Sequence, residues 1–126
     1  MALNNENVVN QKSYAFSVRI VNLCRYLRQE KRELVLSKQL LRSGTSIGAN
    51  LWEARYAQST ADFISKLTIS LKEASETSYW LSLLFDTGYL TKKEYISIAD
   101  DCDELLKLLT SIIKSIKDKS YSLRQT

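Results

Sequence analysis

The chain has 126 residues, 44% of them hydrophobic and 25% charged, with a formal net charge of +4; that length suits one domain with its own core, needing neither disulfides nor a structural metal. It contains no proline, three glycines and no histidine, so little interrupts helices, and the residue most used in general-base and metal-ligating sites is missing. Its two cysteines, Cys24 and Cys102, fall on apolar helix faces and read as buried thiols.

The N-terminal segment Met-Ala-Leu-Asn-Asn-Glu-Asn has no basic start and no apolar run, and no stretch of about 18 apolar residues follows. A soluble, cytoplasmic protein without membrane contact is expected. Residues 1–11 read as a disordered segment, 12–119 as the folded unit and 120–126 as a flexible tail.

Four apolar-periodic segments, near 12–30, 34–58, 60–87 and 92–118, predict an all-α, up-and-down antiparallel four-helix bundle. In the first, Phe16, Ile20, Leu23 and Leu27 form an inner stripe, and Tyr14, Val18, Val21, Arg25, Arg28 and Arg32 line the reverse side. The second sets Leu36, Leu40, Ile47, Leu51 and Ala54 inward and Lys38, Arg42, Thr45, Ala49, Trp52 and Tyr56 outward. In the third, opened by a capping pair Ser59 and Asp62, Phe63, Leu67, Ala74 and Leu81 face in, and Ile69, Glu76, Trp80 and Leu83 face out.

Gly88 stands where a helix end needs a left-handed residue, and Thr91 with Glu94 forms the capping box of the fourth helix. That helix has a single seam, Ile98, Cys102, Leu105, Leu109, Ile112 and Ile116, spaced by four, three, four, three and four. Its other face, with Asp103 before Lys107 and Lys114 before Asp118, reads as solvated and supported by weak pairs. Replacing Leu105 by alanine should cost about 2–5 kcal/mol through the cavity it leaves.

A monomeric bundle needs one apolar stripe per helix. The second stripes therefore predict an oligomer interface built on Trp52, Tyr56, Ile69, Glu76, Trp80 and Leu83. The competing explanation is an irregular bundle in which the tryptophans sit at a wide core boundary.

Charge is uneven along the chain. Residues 12–58 carry nine Lys or Arg against three acids, and residues 59–126 carry nine against ten. Arg25, Arg28, Arg32, Lys38 and Arg42 fall near one end of an antiparallel helix pair, a pattern suited to phosphate contacts and hence to nucleic acid. The alternative is an ordinary solvated surface, with Glu30 and Glu33 in partial compensation.

Other chemistry finds little support. Gly44 and Gly48, at i and i+4, lack the spacing of a phosphate-binding loop and read as a close helix approach or a bend. Glu53, Glu73 and Glu76 have no Glu-x-x-His partner for a carboxylate-bridged metal site, and they read as pairing or capping groups. No cofactor is expected, and with no activated nucleophile the chain reads as a non-enzyme.

Several motifs carry a resemblance: Arg42-Ser43-Gly44-Thr45-Ser46-Ile47-Gly48-Ala49-Asn50, Glu53-Ala54, Asp62-Phe63-Ile64-x-Lys66-Leu67, and Lys72-Glu73-Ala74-x-Glu76-Thr77-x-Tyr79-Trp80-Leu81. From about Tyr14 to about Lys117 the chain resembles the bacterial four-helix-bundle proteins encoded by intervening sequences of 23S ribosomal RNA genes. The resemblance implies a homo-oligomeric ring, with a pentamer as the expected number, nucleic acid and particularly RNA as ligand, and no enzymatic activity. By analogy with a related group of accessory proteins, it also implies a reverse transcriptase or other nucleoprotein partner. A protein-interaction scaffold without a nucleic-acid role is the other reading that the residues leave open.

Overall fold

The computed structural model describes the backbone of residues 2–125 and the side-chain surroundings of residues 7–119. Four helices follow one another: α1 (Ala2–Gln29), α2 (Leu36–Ala54), α3 (Thr60–Asp86) and α4 (Lys92–Gln125). Short connections reverse the chain at each step, and each helix packs on its two cyclic neighbours with none across the diagonal. The result is an antiparallel four-helix bundle, with no strand among the described residues.

Three helix boundaries depart most from the apolar spacing. α1 begins ten residues ahead of its predicted start, so residues 2–11 carry helical backbone where a disordered lead-in was expected, and Val9 joins the core at 1% exposure. Among residues 7–11 only Val9 is buried, too little periodicity to announce a helix. α2 ends at Ala54 rather than near 58, because its last turn unwinds toward the Ser59 cap. The α4 backbone continues to Gln125, whereas the side chains of the expected tail, 120–126, lie outside the described residues.

The predicted inner stripes build the core. Phe16, Ile20, Leu27, Leu40, Ile47, Leu67, Ala74, Leu81 and Leu109 are all buried, and so are both free cysteines. The α4 seam from Ile98 to Ile112 is buried throughout, joined by Ile113.

Local chemistry explains where the helices stop and start. At the end of α3, Gly88 takes φ +87°, Tyr89 N–H donates to Leu84 O at 2.9 Å and Gly88 N–H to Phe85 O at 3.1 Å. That is the paired-carbonyl closure of a left-handed helix end. Thr91 and Glu94 then cap α4 reciprocally: Glu94 N–H donates to Thr91 Oγ1 at 3.1 Å and Thr91 N–H to Glu94 Oε1 at 2.8 Å. At α3 Asp62 N–H donates to Ser59 Oγ at 3.0 Å, but the Asp62 carboxylate accepts from Gln58 N–H instead of Ser59 N–H.

The two interior glycines set the α1–α2 distance. A Cβ on Gly44 would stand 2.8 Å from the Ile20 side chain, and one on Gly48 would stand 3.2 Å from Ser17 Oγ and 3.4 Å from Ser13 O. The glycine pair is thus a close helix approach, as the sequence predicts.

Candidate nucleic-acid interface

The α1–α2 turn is a rigid, hydrogen-bonded structure. Arg32 takes φ +57°, which ends α1, and Glu33 N–H donates to Leu27 O at 2.9 Å. Val35, at the N-cap of α2, has no side-chain acceptor to offer. Glu33 does this work from two residues upstream: its carboxylate accepts from Ser37 N–H at 2.7 Å and from Val35 N–H at 3.3 Å. Ser37 Oγ donates back to Glu33 O at 2.8 Å, and the Cys24 thiol donates to Ser37 O at 3.3 Å. Glu33 is 8% exposed, so it is a buried cap and not the surface counter-charge that the sequence suggested.

Around this turn lie the predicted cations. Arg25, Arg28, Arg32, Lys38 and Arg42 are all exposed; the first four flank this turn, and Arg42 lies further along α2. Arg25 and Arg28 border a shallow groove of about 240 Å³ with Val21, Gln29 and Leu41, spanning α1 and α2. The ion pairs among the described residues are Lys12–Glu104, Arg19–Asp101 and Lys66–Glu53, and they include none of the five.

Arg42 stands apart from the other four. It lies beside Glu73 on α3, where its charge partly offsets the burial and the nearby Glu76 charge that together raise the Glu73 carboxyl above its ordinary value. Of the other cations along the first two helices, Arg19 is committed to Asp101 at 2.6 Å and to Ser97, and the Arg55 guanidinium stacks over Trp52 at 4.5 Å. Lys31 sits 6.0 Å from the centre of the Tyr26 ring.

The second stripes divide between two faces. Trp52 lines a groove of about 600 Å³ between α1 and α2, with Tyr14, Thr45, Gly48 and Ala49, and none of the α3 residues reaches it. Trp52 and Tyr56 are 59% and 72% exposed. On α3, Ile69 and Glu76 are exposed, whereas Trp80 and Leu83 are half-buried. Trp80 packs against the core, contacts Tyr79 edge-to-face and donates through Nε1 to Glu76 at 3.1 Å. The outward reading of Trp80 is therefore only half met, because an indole is wide enough to cover the core edge and still reach a polar partner.

Leu34 and Val35 are 59% and 71% exposed in the middle of the basic turn. The apolar spacing places both at the start of the second helix, near 34, whereas α2 begins at Leu36 and leaves them in the turn. The run Glu33-Leu34-Val35-Leu36 between two cationic segments was the available signal.

A family profile described as 23S rRNA-intervening sequence protein matches residues 5–111. The chain belongs to that family. Among solved structures it is similar to a protein of unknown function from the S23 ribosomal protein family of Bacteroides thetaiotaomicron VPI-5482, at 61% identity and a TM-score of 0.86, over 87% of this chain and 98% of that one. No curated protein matches. The family assignment agrees with the four-helix architecture and with the motifs centred on Gly44, Gly48, Glu73 and Glu76. Among the described residues no helix is long and apolar enough to cross a membrane, and no group of three or more His, Cys, Asp or Glu could hold a metal ion.

Proposed function

We propose that this protein is a non-enzymatic, homo-oligomeric helical bundle of the cytoplasm that binds nucleic acid, RNA in particular, through phosphate contacts with little base specificity. The observation that carries the reading is the group Arg25, Arg28, Arg32 and Lys38, exposed at one end of the bundle and in none of the ion pairs among the described residues. Arginine forks and lysine ammoniums held on two rigid helices and their capped turn can meet several phosphates at once with little ordering cost. The family's description refers to the place of the gene within 23S rRNA sequence and not to a ligand, so structured RNA and duplex DNA both enter the test.

Assembly supports the same reading. The Trp52 groove on the α1–α2 side and the Ile69–Glu76 surface on α3 are different patches, and two different patches suit a head-to-tail contact that closes into a ring, such as a pentamer. Each added protomer would repeat the basic turn and multiply weak phosphate contacts by avidity. A reverse transcriptase or other nucleoprotein fits such a surface as a partner.

Light scattering behind size-exclusion, together with fluorescence anisotropy of labelled structured RNA and duplex DNA, tests the proposal. An oligomer whose binding is lost on Arg25→Ala, Arg28→Ala and Arg32→Ala in combination, with assembly unchanged, is expected. A wild-type protein that binds neither ligand, while retaining partners that survive nuclease, would replace this reading with a protein-interaction scaffold.

A further inference from the structure

Two exposed aliphatic side chains at the centre of a basic turn are an unusual use of surface. Connecting turns favour glycine, asparagine, aspartate and serine, yet here Leu34 and Val35 project from the tip at 59% and 71% exposure. Their positions are fixed: Arg32 at φ +57° closes α1 behind them, and Glu33 ties the backbone N–H groups of Val35 and Ser37 to its carboxylate. Glu33 is thereby turned inward, which leaves Lys31, Arg32 and Lys38 as the charged neighbours on one side of the pair in sequence and the other, with exposed Glu30 as the one acid of the turn.

We infer that Leu34 and Val35 form an apolar wedge that contacts an unstacked base in structured RNA, such as a bulge, a loop or a helix end, while the surrounding arginines and lysines hold the flanking phosphates. The inference rests on the nucleic-acid reading above and adds the class of ligand to it. Aliphatic side chains are known to enter between base steps when cations anchor the backbone on either side, and unpaired RNA exposes base faces that a closed duplex hides. A wedge works only on a stiff support, and the doubly hydrogen-bonded Glu33 cap supplies one. Because Leu and Val offer no hydrogen bonds, they read the unstacked state and not base identity. The preference is therefore for shape, in keeping with low base specificity.

The test uses the full-length protein in its native oligomeric state, an RNA hairpin with a single-nucleotide bulge, and the same hairpin fully paired, all at one salt concentration. Wild type should bind the bulged hairpin about tenfold more tightly, the size expected from burying one aliphatic side chain. A Leu34→Ser, Val35→Ser variant with unchanged circular dichroism and oligomeric state should bind both hairpins within about twofold of each other, with the salt dependence of wild type retained. Equal binding of the two hairpins by wild type, or a bulge preference that survives in the variant, overturns the wedge and leaves phosphate binding standing. Absence of binding to either RNA removes the underlying reading as well. Loss, in the variant, of a nuclease-resistant acidic protein partner with RNA binding unchanged would assign the tip to that protein instead.

Discussion

The hydroxyls of Ser43 on α2 and Thr77 on α3 share a hydrogen bond of 3.0 Å in the interior of the bundle, both side chains fully buried. Each has a further acceptor within its own helix, Leu40 O for Ser43 and Glu73 O for Thr77, so either direction of the shared bond leaves both protons placed. One turn away Ser70 Oγ donates to Ile47 O at 2.9 Å. The α2–α3 contact is thus fixed in register by polar groups that match at one alignment only, whereas an all-apolar seam could slide.

Thr77→Val removes one member of this pair and should cost about 1–2 kcal/mol in urea denaturation. Combining it with Ser43→Ala should cost less than the two single losses added, since the shared hydrogen bond can be lost only once. Strict additivity would show that the two groups are not coupled.

Gly44 and Gly48 should respond differently to a methyl group. At Gly44 the new Cβ meets the Ile20 side chain at 2.8 Å, so overpacking of about 1–3 kcal/mol outweighs the helix-propensity gain of about 1 kcal/mol. At Gly48 the nearest atoms lie at 3.2 and 3.4 Å, and Gly48→Ala should be close to neutral. Gly48→Leu should destabilise clearly, and Ile20→Val should recover part of the Gly44→Ala loss. Thermal melts of the five proteins decide the order; an innocuous Gly48→Leu would contradict the close helix approach.

The two thiols should be silent in the native protein. Burial pushes Cys24 up to about 11, with Arg28 opposing, and Cys102 up to about 12, with Asp103 adding to the shift. Neither forms an appreciable amount of thiolate near pH 8, so a disulfide-exchange reagent should react with no cysteine until denaturant is added, and then with both. Rapid labelling of the folded protein would mean that the core opens locally.

Much of this architecture could be read from the chain, because long helices repeat their apolar pattern many times. The α4 seam and the two later caps are examples: each is a local rule satisfied by residues three or four apart. The α1 start is hidden because, among residues 7–12, Val9 alone is buried, and one position sets no period. Helical angle alone points Trp80 outward, although its indole is broad enough to lie across the core boundary. At the candidate interface the four cations nearest the turn were legible by charge and spacing, but the placement of Arg42 beside Glu73 depends on α3 packing against α2, more than thirty residues away in sequence. The Glu33 cap was masked by its resemblance to an ordinary surface acid.

Glu73 offers a pH dependence of known sign. Burial raises its carboxyl above the ordinary 4.5, Glu76 adds to the shift, and Arg42 and Ser46 oppose it. A raised carboxyl pKa favours the folded state below the ordinary value, and that contribution disappears as pH rises through the folded value. Glu73→Gln should therefore melt at or slightly above the wild-type temperature at neutral pH, and the difference should shrink or reverse on acidification toward pH 4. A variant less stable than wild type at neutral pH would show that the Arg42 attraction outweighs burial.

The central claim is that the basic end of the bundle meets phosphates, and the salt dependence of RNA affinity addresses it most directly. Anisotropy titrations between about 50 and 200 mM salt should give a log-log slope of about 0.7 per phosphate neutralised on single strands and 0.9 on B-DNA. With Arg25, Arg28 and Arg32 all replaced by alanine in an otherwise intact oligomer, the slope should fall by about 2 on single strands and just under 3 on duplex DNA, for three lost contacts. A slope unchanged by the three substitutions, or wild-type affinity indifferent to salt, would contradict the account.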